Sequence, residues 1–293
     1  MPIATLIAAD RLEQGALTAA ADRLRDAKLE PRHTAWLDEG KAADIFFDGD
    51  VEKGRGALSP MSDSHDIIVQ AEKARRKAML ISDMDSTMIQ IECIDELADY
   101  AGLKPQIAEV TERAMRGELD FVEALRGRVA LLKGLAESAI AECLADRVKL
   151  MPGAVTLVRT MRGWGAHTVL VSGGFTHFTT PVAQMIGFDE AHSNVLGIAQ
   201  GALTGIVAEP VVDSGRKKAF LTSIAASRGI DVTAVMAVGD GANDIPMIQA
   251  AGLGIAYHAK EKARAAADAA ISYNDLTALL YAQGVPQAQW VLD

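Results

Sequence analysis

The sequence predicts an α/β protein: a parallel-sheet core interrupted by a helical insertion and preceded by a small α+β unit. Two observations carry this prediction. Short apolar runs at residues 78–82, 166–171, 234–238 and 252–256 alternate with helical patterns, as buried parallel strands joined by crossover helices do. Three of these runs also end in polar groups. These are Asp83-Met84-Asp85-Ser86-Thr87, Ser172-Gly173-Gly174-Phe175 and Gly239-Asp240-Gly241-Ala242-Asn243-Asp244. In open α/β sheets, ligands bind at the carboxyl ends of the strands.

The elements follow in order. Residues 3–9 predict a strand, 14–29 a helix ended by Pro31, and 33–37 and 42–47 two strands joined by a turn at 38–41. Residues 48–63, rich in Gly, Ser, Pro and Asp, predict a linker. Residues 66–77 predict a helix ending in Lys73, Arg75, Arg76 and Lys77. That run suits a solvated helix C-terminus; attraction of a phosphate is the alternative. Residues 1–65 therefore form an accessory α+β domain with no catalytic constellation.

In 91–150, apolar positions recur at helical spacing through Ile94, Leu97, Ile107, Val110, Leu125, Val129 and Leu132. Gly102, Gly117 and Gly134 punctuate them, Pro105 suits an early helical position, and Asp120 with Glu123 reads as a capping box. A helical insertion directly after the Asp83–Asp85 strand can cover a site there and exclude water. The core then comprises 66–90 and 151–293. It contains a helix over 152–163, a β excursion over 187–207, and a helix opened by Arg216, Lys217 and Lys218. A helix to about 267, a strand near 269–273 and a final helix from Asp275 complete it.

With 49% hydrophobic residues over 293 positions, the chain can build one large or two modest cores. A net charge of −10 disfavours a general nucleic-acid binder. Cys93 and Cys143 lack metal-ligand spacing and read as reduced, semi-buried thiols. The N-terminus has no basic stretch before its short apolar run, and no run reaches spanning length. This predicts a cytoplasmic protein without a membrane partner.

The chemistry starts from Asp83 and Asp85. Side chains at i and i+2 of a strand point to one side, so both carboxylates can converge on a small volume. Buried together they repel, and Mg²⁺ bound by one or two carboxylates and substrate phosphate oxygens would resolve this. Asp83 would attack phosphorus, and Asp85 would protonate the leaving oxygen and then activate water. The alternative is an Asx or ST turn capping the next helix. Ser172-Gly173-Gly174 reads as a phosphate cradle or an ordinary tight connection. Asp240 could complete the cation's ligand set, and Asp244 could hold a bound water or orient the lysine. Gly239-Asp240-Gly241 lacks the third glycine of a dinucleotide fingerprint.

Taken together over residues 78–283, Asp83-Met84-Asp85-Ser86-Thr87, Ala114-Met115-Arg116-Gly117, Leu125-Arg126-Gly127-Arg128-Val129, Ser172-Gly173-Gly174-Phe175 and 238–245 resemble the haloacid-dehalogenase-like (HAD) phosphohydrolases. The resemblance implies a Rossmann-like core with a helical cap at 91–150. It implies Mg²⁺ bound by Asp83, Asp240 and the Asp85 carbonyl, and phosphate held by Ser172, Gly173 and Lys217 beside Asn243. In the cap, Glu92 would meet a substrate ammonium and Arg128 its carboxylate, while Met115 and Phe121 would line a small side-chain pocket. The implied substrate is O-phospho-L-serine, and the reaction the last step of serine biosynthesis. Glu92 and Arg128 carry the opposite charges that a zwitterionic head group requires. Met84 stands where an aromatic is common, and Lys218 rivals Lys217. The N-terminal domain is loosely similar to ACT-like regulatory halves of longer family members, and a homodimer is compatible with the sequence. Rival readings are a phosphatase or phosphotransferase for another small phosphomonoester, and a signalling receiver phosphorylated on Asp83. Asp85 and the cap argue against the receiver.

Overall fold

The computed structural model describes every residue except Gly117 and Asp293, and not the Met115 side chain. The expectations for Gly117 and the Met115 side chain therefore lie outside the described residues. The N-terminal unit runs β1 (Pro2–Ala8), α1 (Gln14–Asp26), β2 (Glu30–Asp38), β3 (Ala42–Asp48), α2 (Val51–Leu58) and β4 (His65–Ala71). Its sheet order, β2-β3-β1-β4 with antiparallel pairs, is the ferredoxin-like β-α-β-β-α-β arrangement. Leu6, Leu17, Leu24, Ile45, Phe47 and Val69 form its core.

Two expectations fail here. Residues 48–63 contain α2 rather than a linker: Asp50 accepts the Lys53 N–H at 2.8 Å and caps it. Gly54 is a packing glycine, since a Cβ there would lie 2.6 Å from Phe47 Cζ. Residues 66–77 begin with β4 rather than a helix, and the sheet therefore extends past the expected boundary at 65. Asp66 and Gln70 disguise the strand, because they are buried polar groups with distant partners. Asp66 accepts N–H bonds from Ser272, Tyr273 and Asn274, and Gln70 donates to the Ala282 carbonyl. The basic run pins the two units together. Arg75 pairs with buried Asp44 at 2.6 Å and donates to Ala282 O, Lys77 Nζ reaches Thr233 O at 3.1 Å, and Arg76 stacks over Trp164.

The core begins with β5 (Met79–Ser82). The insertion follows as α3 (Cys93–Asp99), α4 (Lys104–Met115), α5 (Phe121–Leu131) and α6 (Ser138–Arg147). Next come α7 (Ala154–Gly163), β6 (His167–Phe175), α8 (Thr176–Ile186), β7 (Glu190–Asn194) and an antiparallel hairpin of β8 (Leu196–Ala199) with β9 (Ala202–Val207). The chain ends with α9 (Ser214–Ser227), β10 (Val235–Gly239), α10 (Ile245–Ala250), β11 (Leu253–Tyr257), α11 (Glu261–Ala266), β12 (Ala269–Ile271) and α12 (Ala278–Ala282). Asp120 accepts the Glu123 N–H at 2.9 Å, the N-cap half of the capping box expected for α5.

The six-stranded sheet has order β12-β11-β10-β5-β6-β7 and is parallel throughout. Alternate residues feed opposite faces. Leu80, Leu170, Met236 and Val238 join one apolar cluster, and Met79, Ile81, Val169, Val171, Val235 and Ala237 join the other. From β5 the chain moves outward to β6 and β7, then returns to β10 on β5's other side. That reversal opens a crevice at the strands' carboxyl ends. Among the described residues, no helix is long and apolar enough to cross a membrane.

Candidate active site

The site starts where β5 stops. Asp83 N–H still donates to Val238 O of β10 at 3.0 Å, but the Met84 carbonyl then accepts the N–H groups of Thr87, Met88 and Ile89. Ser86, at φ +55°, occupies the left-handed region in this turn. The turn carries Asp85 to the start of α3, where Oδ2 accepts the Cys93 N–H at 3.2 Å. The two aspartates thus converge through a turn, because regular strand alternation ends at Ser82. The two oxygens of Asp85 differ: Oδ2 caps α3, as one sequence alternative expected, while Oδ1 is buried with no hydrogen-bond partner among the described residues.

Lys217 is fully buried, and its Nζ lies 2.7 Å from both Asp83 Oδ1 and Asp244 Oδ1. Asp213 accepts the Arg216 N–H and fixes the start of α9 that aims Lys217 inward; Lys218 is exposed. Asp244 Oδ2 accepts the Asp240 and Gly241 N–H groups at 3.2 and 3.1 Å, so both its oxygens are engaged. Gly239 allows this packing, since a Cβ there would lie 2.4 Å from Asp244 Cγ.

Carboxylate oxygens of Asp83, Asp240 and Asp244 lie within 4.8 Å of one another, all three buried. Burial, then Asp244, pushes Asp83 up to about 7 against the pull of Lys217. Asp240 is raised well above the carboxylate range by burial, Asp244 and Asp83. Burial raises Asp85 to about 6, opposed by the hydrogen bonds from Cys93. Burial would lower Lys217, yet Asp244 and Asp83 hold it above the usual lysine value. One ammonium does not balance three carboxylates, and this hard oxygen donor set fits a divalent cation. Asp244 has one oxygen engaged by Lys217 and the other by the Asp240 and Gly241 N–H groups.

A cavity between core and insertion is lined by Asp83, Asp85, Ser172, Gly173, Asp240 and Asn243 from the core, and by Glu92, Phe121 and Arg128 from the insertion. Ser172 and Gly173 lie within β6, which runs on to Phe175 instead of ending at 171. Ser172 Oγ accepts the Gly174 N–H at 2.8 Å. A Cβ on Gly173 would lie 2.6 Å from Phe121 Cζ, so glycine lets the insertion pack closely against β6. Glu92 accepts a hydrogen bond from Ser86 at 2.6 Å and is raised well above its ordinary value by burial and then Asp85. Arg128, 5% exposed, donates to Ala124 O and to Thr111 Oγ1. The sequence reading did not assign Ser86, Thr111, Ala114 or Gly174. Ser86 and Gly174 stood inside motifs already quoted, whereas Thr111, in mid-helix, carried no local signal.

The haloacid dehalogenase-like hydrolase family model matches residues 78–252. The chain is 46% identical to the phosphoserine phosphatase of Albidiferax ferrireducens over 207 residues, covering 69% of this chain and 87% of that one. It is 38% identical over 281 residues to the phosphoserine phosphatase of Streptomyces coelicolor, covering 95% of this chain but spanning 63% of that relative's length. A solved structure described as a phospho-aspartyl intermediate analogue of phosphoserine phosphatase superposes with a TM-score of 0.68 at 36% identity, covering 70% of this chain and 98% of that one. The chain is an enzyme and belongs to the haloacid dehalogenase-like hydrolases, with phosphoserine phosphatases as its relatives.

Proposed function

We propose that the protein hydrolyses O-phospho-L-serine to L-serine and phosphate in the cytoplasm, using Mg²⁺ and an aspartyl-phosphate intermediate. One observation carries this reading. The cavity places the buried Asp83 with its lysine at the core end and an acid and a base, Glu92 and Arg128, on the insertion side. Glu92 faces the substrate ammonium, and Arg128 its carboxylate. Phe121 closes the space around the short side chain. The identity to phosphoserine phosphatases and the likeness to a phospho-aspartyl analogue structure support the same reading.

Asp83 attacks phosphorus, forming an acyl phosphate as the bond from phosphorus to the serine oxygen breaks. Asp85, as a carboxylic acid, gives its proton to that departing oxygen. As a carboxylate it then takes a proton from water, whose oxygen attacks the aspartyl-phosphate phosphorus and releases phosphate and Asp83. A group raised to about 6 suits both directions of transfer. Lys217, Ser172 and the Gly173 N–H hold the phosphoryl oxygens, with Asn243 beside them. Asp83, Asp240 and the Asp85 carbonyl would hold Mg²⁺, which neutralises charge on the phosphoryl group.

The test is phosphate release from O-phospho-L-serine, O-phospho-L-threonine and p-nitrophenyl phosphate, with and without Mg²⁺. A Mg²⁺-dependent preference for phosphoserine is expected. Turnover of the aryl phosphate alone would overturn the substrate assignment.

A further inference from the structure

Arg128, Thr111 and Asp95 come from three helices of the insertion, α5, α4 and α3, and form one hydrogen-bonded chain. Arg128 Nη1 donates to Thr111 Oγ1 at 2.7 Å, and the same hydroxyl donates to Asp95 Oδ1 at 2.5 Å. Arg128 and Thr111 are 5% and 3% exposed, and both line the cavity. Arg128 Nε donates to Ala124 O at 3.1 Å. The guanidinium is therefore held at two of its five N–H donors, one on Nε and one on Nη1, while three, both of those on Nη2 included, form no hydrogen bond among the described residues. Among the described residues, Arg128 forms no ion pair with a carboxylate.

We propose that Thr111 and Asp95 are positioning residues that set selectivity for a phosphorylated amino acid by holding Arg128 toward the substrate carboxylate. The inference rests on the function proposed above. The hydroxyl works as a spacer. A carboxylate placed directly against Arg128 would occupy the fork that must grip the substrate. Through Thr111, Asp95 polarises the hydroxyl and fixes the guanidinium plane without capping it. Asp95 and Thr111 thus act on the substrate only through Arg128. Their loss should weaken recognition of the carboxylate and leave phosphoryl chemistry at Asp83 intact.

The experiment compares O-phospho-L-serine with O-phosphoethanolamine, which lacks the carboxylate, and with p-nitrophenyl phosphate. It uses the full-length Mg²⁺-loaded enzyme and the variants Thr111→Val, Thr111→Ser, Asp95→Asn and Arg128→Ala. Thr111→Val is expected to lower kcat/KM for phosphoserine about 10- to 100-fold, mainly through KM, the range for losing a hydrogen bond to a charged group. Turnover of the other two substrates should hold, Thr111→Ser should restore selectivity, and Asp95→Asn should lose part of it. If wild type does not prefer phosphoserine to phosphoethanolamine, the function itself fails. If wild type shows the preference and Arg128→Ala loses it, but Thr111→Val and Asp95→Asn keep it, the function stands and this inference is overturned. Equal losses on all three substrates in Thr111→Val and Asp95→Asn would also overturn it, since they would mark a general structural role. Should Thr111→Val not fold, Asp95→Asn and Thr111→Ser decide by the same ratio.

Discussion

Lys217 and Asp83 form a buried ion pair, Nζ to Oδ1 at 2.7 Å, across the gap between α9 and the end of β5. The lysine cannot be spared on either count that matters. It neutralises a carboxylate buried beside Asp244 and Asp240, and in the proposed function it holds a phosphoryl oxygen.

Replacing Lys217 by Met should therefore cost both stability and activity. Removing one partner of a buried pair leaves uncompensated charge, worth about 3–5 kcal/mol. Chemical denaturation without Mg²⁺, beside a turnover assay, measures both. A variant as stable as wild type would mean that the carboxylates accept protons at no cost.

Asp83→Asn separates chemistry from folding. It removes the proposed nucleophile but also one of the crowded like charges, so the fold should persist while phosphoserine turnover falls by about 10⁴-fold or more. Substantial turnover by purified, folded variant would displace Asp83 from the nucleophile's role.

The pH dependence follows from the Asp83 carboxyl. Its ordinary value is 3.8, and without a bound cation the folded protein holds it at about 7. Between those values the folded state keeps a proton that the unfolded state has lost. Stability therefore falls as pH rises through the window, by about 1.4 kcal/mol per pH unit at most from this group. Mg²⁺ needs the ionised carboxylate, so its affinity should drop as pH falls below about 7. Thermal midpoints from about pH 4.5 to about pH 7.5, with EDTA or excess Mg²⁺, test this. Asp83→Asn should show a shallower slope in EDTA. Matching slopes in wild type and variant would remove Asp83 as the cause.

At the interface between the two units, Arg75→Met leaves Asp44, 2% exposed in its side chain, without its charged partner and with only the Thr5 hydroxyl, among the described residues, donating to it. A loss of about 3–5 kcal/mol is expected. Because the pair does not line the catalytic cavity, kcat for phosphoserine should hold below the unfolding transition. A fall in kcat at full folding would instead tie the N-terminal unit to catalysis.

Much of this molecule could be read from local sequence, because local order creates the signals. Apolar runs ending in Asp83, Ser172 and Asp240 marked the parallel strands and the edge where the cavity opens, since burial on both faces and a carboxyl-end crevice each leave a compositional trace. The helices of the insertion, and the cap at Asp120, followed from 3.6-residue spacing and short-range hydrogen bonding. Tertiary structure decided the rest. The partners of Asp66 and Gln70, the backbone of 272–274 and the Ala282 carbonyl, lie across the fold, so nothing local marked these polar residues as part of a buried strand and 66–77 read as a helix. Lys217 and Lys218 are equivalent in sequence, but the direction of α9 buries one and exposes the other. Thr111 acquires meaning only when α3, α4 and α5 bring Asp95, a hydroxyl and Arg128 together. Residue type and spacing suffice where partners are neighbours in the chain. Where the partner of a buried polar group lies across the fold, its identity is set by packing.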